Sequence, residues 1–379
     1  MYDNIEDEQN NYEKMDLKII NFIKMINNKE TEKIPEPTNF IISTQSAMCN
    51  INNVQSIELS KIVVYIAKKI INNIILKQNE NYLIRGIVVD SIIIRFDESY
   101  LKKHKKPFIK YLGIIYEYDN IQDILFILNN IEQLENNSLK KHGRQKKKEN
   151  ENFYNSCSII VKGSPTMKCV NIKLFNNGKI TLTGSKYEHD GFHSCNVLLE
   201  EMKKNKHIFL NNTEEEVDKL NIINYKITMI NSDFDTNFKI DLLKLLDILN
   251  ENEKDLFTKF NPEKYRGLII GYYWNTDKII QDGKCICNSK CNGKGIGTGD
   301  GQCKKITISI FKSGSIIITG GRLVAQINDA YRKINSILKE HYHNIVKLSI
   351  LDFINDVDYI EDIPKNDISK KIIRIKKMI

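Results

Sequence analysis

Apolar residues recur along this chain in two alternating rhythms. One has a period near 3.6: Leu59, Ile62, Val63, Ile66 and Ile70 fall on one helical face, and so do Val324, Ile327, Ala330, Tyr331, Ile334, Ile337 and Leu338. Shorter series, at Val197, Leu198, Leu199 and Met202 and at Leu242, Leu245, Leu246 and Leu249, predict two further helices. The other rhythm has a period of two. Leu174, Ile180 and Leu182, and separately Ile310, Ile316 and Ile318, alternate with polar or aromatic positions and predict half-buried strands. Strand-like runs also lead into the upstream helices, at 40–44, with Ser56 as the expected helix cap, and at 225–230.

Comparing the chain with itself organises these elements. Residues 173–186 align without gaps on 309–322, with identities at Phe175/Phe311, Gly178/Gly314, Ile180/Ile316, Thr183/Thr319 and Gly184/Gly320. Each copy reads as strand, Gly-containing turn, strand, because Asn-Gly or Ser-Gly supplies the positive φ of a tight turn. The order strand, helix, several strands, helix thus occurs twice, which predicts an α+β protein with pseudo-twofold symmetry. Within each hairpin the aliphatic face suits a core beneath helices. The other carries Lys173, Phe175, Thr181 and Thr183, or Ser309, Phe311, Ile317 and Thr319. That mixture is unusual for a solvated surface; it fits a binding face or a face covered by a second layer.

This series resembles the TATA-box-binding protein family. The resemblance rests on Phe-x-x-Gly-Lys-Ile-x-x-Thr-Gly-Ser-Lys at 175–186, on its partner at 311–322, and on the helix containing Ala330-Tyr331 and Ile337-Leu338-Lys339. It extends to 225–230 with Asp235 and Phe238, to 265–269, and to 41–44 with Cys49. It implies a saddle of two repeats: a curved antiparallel sheet whose concave side meets the DNA minor groove, with helices on the convex face. Members of that family kink DNA with aromatic wedges. The matching positions are Phe175 and Phe311, with Tyr265 as second wedge of the later repeat; Phe153, Tyr154 and Asn155 share the equivalent place in the first. Thr183, Ile317 and Thr319 match groove-floor positions, and Lys179, Lys186 and Arg322 match phosphate-facing cations. The implied partners are double-stranded DNA, a TFIIB-type initiation factor and the RNA polymerase machinery; the implied location is the nucleus or a viral replication compartment. The chain departs from the family where paired asparagines are expected, carrying Phe40 (beside Asn39) and Met229. Asn231 replaces a Val and Ser315 a Lys.

On this reading the chain divides into a polar tail (1–34), a first repeat (35–210), a second repeat (218–348) and a C-terminal tail (349–379). The alignment offsets, 189 at Ile41/Ile230 and 136 at Phe175/Phe311, make the first repeat longer by 189 − 136 = 53 residues. That insertion falls within 78–152 and includes the basic run 140–148, which reads as a solvated loop. A second insertion, 276–304, holds Cys285, Cys287, Cys291 and Cys303, with Gly293, Gly295, Gly297, Gly299 and Gly301 in the same loop. Four thiolates suit a tetrahedral zinc site that would order the loop; the plainer alternative is a flexible loop with incidental thiols.

Composition changes this picture little. The chain has 379 residues and a formal net charge of +8, which permits a polyanionic partner without requiring one. Its acidic N-terminus offers no secretory apolar region, and no stretch is long and apolar enough to span a membrane. Eight cysteines in an unsecreted chain favour thiols or metal ligands over a disulfide framework. The seven histidines form no recognisable catalytic motif; His189 and His193 have i, i+4 spacing without the Glu of a zinc-protease helix. The expectation is a non-catalytic factor that binds and bends A·T-rich duplex DNA; abundant Ile, Lys and Asn suggest an A·T-rich genome, and the divergence from the family pattern resembles that of members from large DNA viruses. The alternative is a related protein-binding scaffold with weak DNA affinity.

Overall fold

A computed structural model describes residues 34–75, 83–89, 92–104, 106–117, 120–138 and 155–347. The tail up to residue 33, the basic run 140–148 and the C-terminal tail 349–379 lie outside the described residues. The chain separates into two compact units, one formed by 41–232 with 319–327, the other by 1–40, 233–318 and 328–379. Both are α+β.

The first unit opens with β1 (Ile41–Ile51), β2 (Ser56–Ile57) and α1 (Leu59–Ile75), followed by β3 (Ile84–Val88), β4 (Ile92–Arg95) and α2 (Glu98–His104). Next come β5 (Phe108–Tyr111), β6 (Ile114–Tyr116), α3 (Ile121–Ser138), β7 (Ser156–Lys162), β8 (Cys169–Phe175), β9 (Lys179–Ser185) and α4 (Glu188–Lys203). A short β10 (Phe209–Leu210) and α5 (Glu214–Asp218) lead to β11 (Ile222–Asp235). The sheet runs β11-β1-β9-β8-β7-β3-β4-β5-β6. From β1 outward to β6 each pair is antiparallel.

One continuous core explains why the helices lie where they do. Ile62, Ile66 and Ile70 of α1 and Leu198, Leu199 and Met202 of α4 meet Ile172, Leu174, Ile180 and Leu182 of the sheet. Each such side chain contributes about 1.5–3 kcal/mol on full burial. The extra length of the first repeat is structured too. Strands β4 to β6 extend the sheet beyond β3, and α3 packs against α1 through the buried Ile124, Ile127 and Ile131.

Ser56 does not cap α1. It sits in β2, opposite Leu210, and the helix starts at Leu59. The Glu58 amide donates to the Ile208 carbonyl (2.9 Å), so the entry to α1 is fixed by strand pairing rather than by a serine hydroxyl.

In the second unit α6 (Leu242–Asn252) precedes β12 (Phe257–Asn261), β13 (Tyr265–Trp274) and β14 (Lys304–Ile310); β15 (Ser315–Gly321) and α7 (Val324–Glu340) follow, with residues 319–327 counted in the first unit, and then α8 (Tyr342–Ile345). The strands are ordered β12-β13-β14-β15. Asp241 caps α6, its carboxylate accepting from the amides of Leu243 (3.2 Å) and Lys244 (3.4 Å). Leu245 and Leu249, with Ile306, Ile308, Ile310, Ile316, Ala330 and Ile334, are buried as the period predicts.

The duplicated hairpin repeats in its details. Gly178 and Gly314 have φ of 77° and 96°, and their amides donate to the carbonyls of Phe175 (3.0 Å) and Phe311 (2.9 Å). Their carbonyls accept from Ile51 N–H (2.9 Å) and Thr236 N–H (3.1 Å), where the chain leaves the first strand of its own repeat. A Cβ there would lie 2.2 Å from Val54 Cγ1 at residue 178 and 2.1 Å from the Phe238 carbonyl oxygen at residue 314. Only glycine suits either place.

Candidate nucleic-acid interface

The strands of each hairpin bury alternate residues against helices, so the remaining side chains share the opposite face. In the first unit Leu174, Ile180 and Leu182 are buried, whereas Lys173, Lys179 and Thr183 are exposed and Phe175 and Thr181 are half-buried. The register sets Lys173 opposite Thr181, which in turn stands opposite Met48; Thr183 stands opposite Ser46. The Lys173 ammonium lies 5.6 Å from the centroid of the Phe175 ring. On the second hairpin Phe311, Ile317 and Thr319 are half-buried between the buried Ile310, Ile316 and Ile318. Ser309 departs from this pattern and is buried.

An aromatic pair forms in the second unit. Tyr265 and Phe311 have ring centroids 5.8 Å apart, tilted by 64°, and Tyr265 remains 41% exposed. Gly267 lies next to both: a Cβ there would sit 2.8 Å from Tyr265 Cε1 and 3.1 Å from Phe311 Cε1. A missing side chain on β13 therefore makes room for the two rings on the outer face. Within the first unit Ser156 stands opposite Phe175 and Cys157 opposite Leu174, as Leu268 stands opposite Ile310 in the second. Counting back three residues from Cys157 and from Leu268 makes Tyr154 the positional counterpart of Tyr265. Phe153 and Tyr154 lie outside the described residues; Asn155 sits one residue before β7.

The two positions aligned with the family's asparagines differ in environment. Met229 is 37% exposed, and the Asn231 side chain donates to Thr44 Oγ1 (3.0 Å). Phe40 instead packs against Tyr331 of α7, with centroids 5.4 Å apart and the rings tilted by 58°, and the Tyr331 hydroxyl donates to the Thr38 carbonyl (3.0 Å). Its ring is a packing group.

Of the expected phosphate-facing cations, Lys179 is exposed, and Lys186 is half-buried with its ammonium 5.4 Å from the Tyr187 ring centroid. The Arg322 amide donates to Gln326 Oε1 (2.8 Å), while its side-chain Nε is buried without a hydrogen-bond partner. A further cation was hidden in the sequence. Lys305 lies 4.0 Å above the Phe257 ring and 5.8 Å from that of Tyr273. Three strands meet there, with Phe257 opposite Gly271 and Tyr273 opposite Lys305. Only the register reveals this group, because its members are far apart in the chain.

The four cysteines of the second insertion converge: their sulfurs all lie within 4.8 Å of one another. His189, by contrast, is a surface residue paired with Asp190 (2.9 Å). Among the described residues no helix is long and apolar enough to cross a membrane.

Fold and face together define a class: an α+β protein with a duplicated hairpin motif whose outer sheet surface carries aromatic, Thr and Lys side chains. Comparison with known proteins narrows it. The family model described as "Transcription factor TFIID (or TATA-binding protein, TBP)" matches residues 297–341, spanning β14, β15 and α7. A protein of Acanthamoeba polyphaga mimivirus described as "TATA-box-binding protein-like" is 32% identical over 234 residues, covering 56% of this chain and 58% of its own. Over these stretches the chain is similar to TATA-box-binding-protein-like proteins, one of them from mimivirus, and it spans somewhat more than half of that relative's length. Among solved structures, Methanococcus jannaschii TBP aligns over 80% of this chain and 99% of its own at 14% identity, with a TM-score of 0.34, too low to bear on the arrangement.

Proposed function

We propose that this protein binds A·T-rich duplex DNA through the minor groove and bends it, acting as a transcription initiation factor rather than as an enzyme. The observation that carries the reading is the partly exposed Tyr265–Phe311 ring pair set over Gly267, with Phe175 at the equivalent hairpin end of the other repeat. Wedges of this kind would unstack a base step, and the bend would bring more of the sheet face against the groove. Thr183, Ile317 and Thr319 suit a groove floor that displays mainly acceptors and shape. Lys179, Lys186 and Arg322 would meet phosphates.

Met229, and Phe40 held on Tyr331, stand where the family resemblance implies paired asparagines. Discrimination would then rest on groove width and deformability more than on central hydrogen bonds. A TFIIB-type factor and the polymerase machinery are the partners, and the nucleus or a viral replication compartment is the place of action.

The test is fluorescence anisotropy with A·T-rich and G·C-rich duplexes over a salt series. The reading predicts tighter binding to A·T duplexes, weakening as salt rises through counterion release. Absence of binding at low salt would overturn it.

A further inference from the structure

The segment between β13 and β14 is built inside out for a protein loop. Its isoleucines face solvent: Ile279 is fully exposed, and Ile280, Ile286 and Ile296 are 74%, 41% and 65% exposed. They give the loop no apolar centre. Sulfur gathers there instead, around the buried Cys303, with Cys287 and Cys291 half-buried and Cys285 exposed. Cys303 Sγ lies 3.7 Å from Cys285 Sγ and 3.3 Å from Cys287 Sγ, and Cys291 completes a group within 4.8 Å.

Backbone clamps bring these sulfurs in from two limbs of the loop. On the far limb, Lys305 N–H donates to the Gly293 carbonyl (2.7 Å), Gly295 N–H to Cys303 (3.1 Å) and Gly297 N–H to Gln302 (2.7 Å). This small hairpin carries Cys291 up to Cys303. It needs glycine at 295, where a Cβ would sit 2.2 Å from the Gln302 carbonyl oxygen. On the near limb, Tyr273 N–H donates to the Gly283 carbonyl (2.8 Å) and the Tyr272 hydroxyl to that of Gln281 (2.7 Å), which folds Cys285 and Cys287 back towards β13. Asp300 joins the limbs by accepting from the Asn288 amide (2.7 Å) and the Ser289 amide (3.1 Å).

We propose that Cys285, Cys287, Cys291 and Cys303 hold one structural zinc ion. Zinc with four thiolates at about 2.3 Å requires sulfur separations of roughly 3.8 Å in a tetrahedron, a spacing that fits the group. All eight cysteines are free thiols in this structure. A purely sulfur donor set selects a soft or borderline metal over calcium or magnesium, and a multi-iron cluster would hold its thiolates further apart. Four thiols binding one zinc release four protons, leaving a site of charge −2. Lys284, Lys290 and Lys304 each adjoin a ligand in the sequence, although the Lys284 ammonium pairs with Asp255 (2.9 Å). Asn275, almost fully buried, donates its side-chain N–H to Cys303 Sγ (3.5 Å) and to the Gly299 carbonyl (3.0 Å), a hydrogen bond of the kind that orients metal ligands. The ion would replace the missing apolar centre and couple loop order to metal binding.

The experiment uses the full chain purified without chelator, with metal measured by mass spectrometry. One zinc per chain is expected. Cobalt(II) substitution should give the intense visible bands of a tetrahedral tetrathiolate site, a signature that depends on no variant. Cys291→Ser should weaken zinc binding at least tenfold, whereas Cys169→Ser, outside the loop, should keep one zinc. Chelation should speed proteolytic cleavage within 276–304 at least tenfold. A metal-free chain with four alkylatable thiols, iron in place of zinc, or a disulfide among these cysteines would overturn the proposal.

Discussion

Tyr265 and Phe311 lie against each other on an outer strand face, yet neither is needed to complete the core beneath. That separation makes them separable experimentally. Phe311→Ala should leave the thermal midpoint within a few degrees of the parent while weakening duplex binding tenfold or more, about 1.4 kcal/mol at least; anisotropy and thermal denaturation together check it. Gly267→Ala makes a finer test. Its Cβ would press on Tyr265 Cε1 at 2.8 Å, so the ring must turn away. Weaker binding with both rings retained would show that their placement matters as well as their presence. At this scale the sequence was legible wherever both repeats share a residue: Phe175/Phe311, Gly178/Gly314 and Thr183/Thr319 needed no coordinates. Phe40 was not legible in that way. Alignment gave it a groove position, but its ring finds an apolar partner in Tyr331, which itself packs edge-on against Phe234 at 4.7 Å. The Lys305–Phe257–Tyr273 group was equally hidden, because register between distant strands cannot be read from local alternation.

At the level of elements, the tight turns and the inserted segment behave differently. Gly314 has φ of 96° and no room for a Cβ beside the Phe238 carbonyl. Gly314→Ala should therefore cost about 1–3 kcal/mol, read from chemical denaturation. Helix periodicity announced α1, α6 and α7 clearly, whereas Ser56 misled because a two-residue strand took the place of a cap. Length arithmetic assigns an insertion to 78–152 without revealing its form. Its strands are only three or four residues long, too short for alternation to distinguish them from other apolar runs. The structure gives the segment a mechanical part: α3 covers α1, and three strands extend the sheet. Ile127→Ala, at a position with no solvent exposure, should destabilise the first unit by about 2–5 kcal/mol. Its effect on duplex affinity, measured below the melting range, should be small, since the residue belongs to the core rather than to the outer face.

For the molecule as a whole, the central claim is that two related hairpin faces act on one duplex. A modest net charge of +8 leaves the basic side chains of these faces, rather than the total charge, to set the salt dependence. The most direct measurement is energy transfer between dyes on the two ends of an A·T-rich duplex, titrated with the parent protein and with a Phe175→Ala/Phe311→Ala variant. The account predicts shortened end-to-end distances with the parent, a smaller response on a G·C-rich duplex, and none with the variant at concentrations that saturate the parent. A duplex that is bound but stays straight, or one that bends equally with the variant, would contradict it.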